Sequence, residues 1–145
     1  MGSSFFTPFA LNGSNAFHRY YLLMGNMFFF VPLFLFGASI QTMLLATMGA
    51  ISIIFHSHQC VHSTWTPHMC MADIVGVNLV ALFLLYFCTP LPLWWWILWV
   101  VPIYLLFADC TSDHEYALMH GSWHILAAVL FGVAIYLSRQ KVVGM

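Results

Sequence analysis

Apolar positions in this chain gather into long runs broken by short polar segments. A bilayer core takes about 20 apolar residues per helix, within a range of roughly 17–25. On that measure the runs divide into about five spans, at residues 18–36, 40–58, 71–88, 93–107 and 115–137. The pattern predicts an all-α integral membrane protein, a single bundle of about five transmembrane helices. Pro32 should kink the first span, because proline removes a helix hydrogen bond. Gly37-Ala38-Ser39 reads as a tight connection, residues 59–68 as a polar loop, and Leu91-Pro92 as a turn. Trp94-Trp95-Trp96 suits a membrane interface. A second polar loop at residues 109–113 precedes the last span, where Ser112 or Asp113 is placed to cap the helix.

Composition sharpens the class. The chain is 63% hydrophobic and 5% charged, whereas soluble domains carry about 25% charged residues. It therefore lacks the material for a water-compatible surface. A net charge of -1 with three basic residues leaves no basic patch, which argues against nucleic acid as a partner. Residues 1–15 lack the basic stretch and cleavage motif of a signal peptide. Four cysteines are too few for a disulfide scaffold. No internal repeat or domain linker is visible.

Five spans also fix a parity. The end of span two, the start of span three and the start of span five must share one membrane face. Asp73, Asp109, Asp113 and Glu115 fall there, with His56, His58, His62, His68, His114, His120 and His124, and His18 at the start of span one. Arg139 and Lys141 fall on the opposite side, which the positive-inside rule makes cytosolic or matrix. Ionisable groups inside spans are rare and default to a functional hypothesis. His120 and His124 are four apart, so on a helix they share one face.

Three elements converge at this face: the end of span two with Ser52, His56 and His58, the start of span three with Asp73, and the start of span five with His120 and His124. Three imidazoles with a fourth position left open are a catalytic zinc arrangement. Such a metal acidifies water to a pKa of about 7. Asp73 would then orient the water or act as general base and acid, and Ser52 would hydrogen-bond the water or an oxyanion. The alternative is that these side chains pair with one another and hold helices together. His62, His68 and His114 read as loop or interfacial residues, and His18 as an anchor beside Arg19. Haem is disfavoured because ligands four apart cannot approach from opposite faces.

Ser-x-x-x-His ending one span, Asp opening the next and His-x-x-x-His in the last resemble the CREST superfamily, which includes alkaline ceramidases, progestin and adipoQ receptors and myomaker-like proteins. His58-Gln59-Cys60, and Tyr116 with His120-Gly121-Ser122-Trp123-His124, are most similar to the myomaker-like branch. The resemblance implies zinc on three histidines and hydrolysis of a lipid amide or ester, in an endomembrane or plasma membrane. It also implies that Cys60 and Cys70 pair as a disulfide if their face is oxidising; otherwise they are two loop thiols. Two departures stand out. The family has seven spans, against about five here. The third ligand is ambiguous, since Ser-x-x-x-His selects His56 and His-x-Cys selects His58, about 160° apart on a continuous helix. The resemblance at span five leans to His58, and Ser52 loses its role in that case.

Two classes of function follow. One is a zinc-dependent membrane hydrolase acting on lipids. The other is a small accessory subunit among other membrane-protein subunits, for instance in the mitochondrial inner membrane, whose histidine site is structural or vestigial.

Overall fold

A computed structural model describes residues 16–61, 64–88 and 90–143, the last three by backbone alone. The polar head at residues 1–15 and His62 lie outside the described residues. Five helices account for the rest: α1 Ala16–Phe36, α2 Ile40–Cys60, α3 Thr66–Cys88, α4 Leu93–Phe107 and α5 Asp113–Val143. No strand occurs among the described residues. Four of the helices are long and apolar enough to cross a membrane, α5 through its segment Asp113–Gln140. α4 is shorter, about 22 Å at 1.5 Å per residue, against a hydrocarbon core of about 30 Å.

Each break has a local cause. Pro32 has no N–H to offer the Phe28 carbonyl, and Val31 N–H bonds it instead. The helix tightens into a 3-10 turn at Phe28–Phe30 and then resumes. Gly37 ends α1 at φ 73, a left-handed conformation that costs glycine little, and its N–H bonds the Leu33 carbonyl at 3.0 Å. Ser39 then caps α2 in a reciprocal box: its Oγ accepts from Thr42 N–H, and its own N–H donates to Thr42 Oγ1 at 2.9 Å. Ser112 caps α5, accepting from Glu115 N–H at 3.2 Å, while Glu115 reaches back to Thr111 N–H at 2.8 Å.

The loop expected at residues 59–68 is shorter in the structure. α2 continues through Cys60 and α3 begins at Thr66, five residues earlier than hydropathy placed it. Pro67 sits in the first turn of α3, where its missing N–H costs nothing. Thr66 Oγ1 donates to the His58 carbonyl at 3.0 Å and draws the two helix ends together.

α1 and α5 run parallel, as the span parity requires. Their contacts run in the same direction from end to end: His18 against His114, Gly25 against Gly121 and Pro32 near Gly132, then Arg139 on the Phe36 carbonyl at 2.6 Å, while Tyr21 OH reaches Ser122 Oγ at 3.0 Å. A Cβ added at Gly25 would stand 2.9 Å from the Gly121 oxygen. In lipid no hydrophobic force draws helices together, so close backbone approach between small residues supplies the packing. α5 contributes further small residues, Ala117, Ala127, Ala128 and Ala134, all buried.

α4 returns antiparallel along α5. Trp95 is fully buried, and its indole N–H donates to the Leu130 carbonyl at 2.8 Å. Of the three consecutive tryptophans, Trp95 packs inward while Trp94 and Trp96 are exposed. The main core gathers Phe29, Met48, Leu84, Trp95 and Phe131 between the helices. A small cluster of Leu22, Cys60 and Ala117, with Tyr116 against it, sits at the histidine-rich end.

Candidate metal centre

The continuity of α2 decides which of its histidines points inward. Met48, Ser52, Phe55, His56, Gln59 and Cys60 are buried along one stripe, the 3.6-residue repeat of a single helix face. His56 is fully buried, whereas His58 is half-exposed. His58 turns away because two residues rotate a helix by about 200°. The lean towards His58 is therefore corrected: the structure gathers His56, not His58, with His120 and His124.

One nitrogen from each of His56, His120 and His124 can be chosen so that all three lie within 4.8 Å of one another. His56 Nε2 and His124 Nε2 are 2.9 Å apart. Two nitrogens on a tetrahedral zinc, each at 2.0–2.1 Å, sit about 3.3 Å apart, so a small outward shift of the rings would admit the ion. The His56–His120, His56–His124 and His120–His124 ring centroids are 5.1, 5.0 and 4.7 Å apart. All three rings pack nearly edge to face.

The surroundings hold the rings in place. His56 Nδ1 lies 2.8 Å from Gln59 Oε1, and Gln59 Nε2 donates to Tyr116 OH at 3.1 Å. The Tyr116 ring stacks on His120 at 4.9 Å and 14°. Trp123 stacks on the same imidazole at 5.6 Å. Phe29 from α1 closes the far side against His124. His124 Nδ1 is buried with no hydrogen-bond partner. A buried polar atom in that condition is uncommon and calls for a reason. Buried imidazoles, one of them with its distal nitrogen beside an amide oxygen, fit a divalent transition metal.

Ser52 shares the buried stripe with His56, one turn earlier. It lies within reach of Asp73 across the α2–α3 contact, yet Ser52 Oγ and Asp73 Oδ1 are both buried without a well-formed hydrogen bond. Asp73 is outside the 4.8 Å group of histidine nitrogens. The structure thus brings together the three imidazoles, and Ser52, one turn from His56 on α2, lies within reach of Asp73.

The other described histidines are not part of this cluster. His18 and His114 face each other across α1 and α5 at 5.5 Å, and His68 packs on Trp65 at 5.6 Å. Cys60 and Cys70 are both free and buried thiols. In the α4–α5 loop, partial burial pushes the Cys110 thiol above its ordinary pKa, and the carboxylates of Glu115 and Asp109 add to the effect.

Gln59 is the site residue that motif reasoning passed over. Its only sequence signal is a polar side chain three positions from His56, hence on the same helix face. Comparison with known proteins adds no relative: no family model, no curated protein and no solved structure matches the chain.

Proposed function

We propose that the chain is a zinc-dependent membrane hydrolase that cleaves an amide or ester bond of a lipid. The observation that carries the reading is the convergence of His56 with His120 and His124, with one nitrogen from each inside 4.8 Å. Ser52 and Asp73 beside them supply the remaining groups. His56, His120 and His124 would hold the ion. Zinc bound there supplies Lewis acidity, polarising a carbonyl and acidifying water. Asp73 accepts a proton from the attacking water and returns it to the leaving group. Ser52 donates its hydroxyl proton as a hydrogen bond to the developing oxyanion. The resemblance to CREST enzymes supports the same roles and an endomembrane or plasma-membrane location.

The purified protein is expected to carry about one zinc per chain by mass spectrometry of the metal. It should also release fatty acid from an N-acyl or O-acyl lipid in detergent micelles, and H120A should abolish both. A metal-free preparation that takes up no added zinc would refute the reading.

A second reading is favoured by a different observation. Asn78, exposed near the middle of α3, donates to the Ile74 carbonyl one turn earlier at 2.6 Å. Polar groups on an outward membrane face are a feature of helix–helix contacts. On this reading the chain is an accessory subunit of a larger assembly, for instance in the mitochondrial inner membrane, with a structural or vestigial histidine site. Migration in mild detergent discriminates the two: a large assembly supports the subunit reading and solitary migration refutes it.

A further inference from the structure

Gln59 and Tyr116 stand behind the histidine cluster without belonging to it. Gln59 is 2% exposed and lies one turn from His56 on the inward stripe of α2. A buried primary amide is costly unless its groups are paired, and here each end has a specific partner. Oε1 meets His56 Nδ1 at 2.8 Å, and Nε2 meets Tyr116 OH at 3.1 Å. Tyr116 belongs to α5 and lays its ring flat on His120. The two side chains therefore tie the His56 helix to the helix that carries His120 and His124.

We propose that Gln59 and Tyr116 are a positioning pair that keeps the His56 proton on Nδ1 and so leaves its Nε2 lone pair facing His120 and His124. The inference rests on the metal reading for its purpose, though the tautomer it predicts is a property of the chain alone. The chemistry is directional. An amide oxygen accepts and cannot donate, so opposite Oε1 the His56 Nδ1 must be the protonated nitrogen. A Gln59 amide turned the other way would present N–H to Nδ1, move the proton to Nε2 and remove the lone pair a metal needs. Tyr116 OH accepts from Gln59 Nε2 at 3.1 Å and reaches Oε1 as a donor at 3.5 Å, so it fixes where the amide sits, and the amide orientation seen here sets the tautomer. A neutral amide orients the ring, as a carboxylate often does behind a metal-bound histidine, without adding charge to a buried site.

The test uses full-length protein in nanodiscs, labelled with 15N-histidine, in wild type, Gln59→Leu, Gln59→Glu and Tyr116→Phe forms. In the metal-free wild type, nitrogen NMR is expected to find His56 as the Nδ1–H tautomer. In Gln59→Leu that preference should be lost, and zinc affinity by competition titration should fall about 10–100-fold. Gln59→Glu keeps an acceptor at the same place and should keep both the tautomer and the affinity. Tyr116→Phe should weaken zinc binding several-fold, less than Gln59→Leu. Should Gln59→Leu fail to fold, the near-isosteric Gln59→Glu and Tyr116→Phe carry the test. An Nε2–H tautomer in wild type, unchanged affinity in both Gln59→Leu and Tyr116→Phe, or loss of affinity in Gln59→Glu would overturn the proposal. A wild type with the Nδ1–H tautomer that binds no zinc would refute the metal reading and leave the positioning pair standing.

Discussion

His56 Nε2 and His124 Nε2 stand 2.9 Å apart although 68 positions separate the residues in the chain. Two neutral imidazoles at that distance form one N–H···N hydrogen bond, or with a slight opening they share a cation. Ligands must be unprotonated to bind, so acidification releases a metal held there. Zinc occupancy is expected to fall on acidification, as protons compete for the ligand nitrogens, and recovery on neutralisation would show that the fold survives.

Exchange of the α2 histidines separates the two ligand assignments. His56→Ala should abolish stoichiometric zinc binding, because it removes one of the three converging imidazoles. His58→Ala should leave zinc in place, since His58 lies half-exposed on the other side of the helix. Metal analysis of the two purified variants decides the point, and the reverse outcome would overturn the assignment.

The α1–α5 contact depends on bare backbone. A methyl group at Gly25 would meet the Gly121 carbonyl oxygen at 2.9 Å, and that atom cannot swing aside. Gly25→Ala is expected to destabilise the bundle by about 1–3 kcal/mol, the usual cost of overpacking. Gly37→Ala meets no neighbour, yet its φ of 73 makes it unfavourable for backbone reasons alone. Unfolding from mixed micelles, followed by circular dichroism, measures both. A neutral Gly25→Ala would show that the helices lie farther apart than described.

Trp95 joins α4 to α5 through one bond. Trp95→Phe keeps most of the ring and loses the N–H donor to Leu130, a change expected to cost about 1 kcal/mol. Trp95→Ala removes a fully buried indole and should cost about 3–5 kcal/mol. Equal effects from the two substitutions would mean that packing contributes little.

Cys110 offers a test outside the membrane. Burial first, then Glu115 and Asp109, raise its pKa. Less thiolate is present at neutral pH than for a free cysteine, so maleimide labelling should be slow and should accelerate as pH rises. Asp109→Asn removes one of the opposing charges and should speed labelling. No acceleration in that variant would show that the Asp109 charge does not contribute.

Much of this molecule is readable from composition and spacing. A chain 63% hydrophobic and 5% charged has only helices or closed barrels available in lipid, since every backbone polar group needs an internal partner there, and unbroken apolar runs of about 20 residues select helices. Pro32, Gly37, Ser39 and Ser112 mark breaks that follow from the chemistry of those residues. The i, i+4 spacing of His120 and His124 places them on one face of any helix. Span parity adds the same membrane end as the close of α2.

Tertiary structure decided the rest. Whether His56 or His58 joins the cluster depends on where α2 stops, and that follows from Thr66 and the short α2–α3 link, which hydropathy does not register. Trp95 differs from Trp94 and Trp96 only in facing α5. Gln59 and Tyr116, 57 positions apart, acquire meaning when two helices meet. Local chemistry determines which residues form helices and where those helices break. Which side chains meet is set by the packing of one helix against another, where near-identical apolar runs differ by a rotation of the helix.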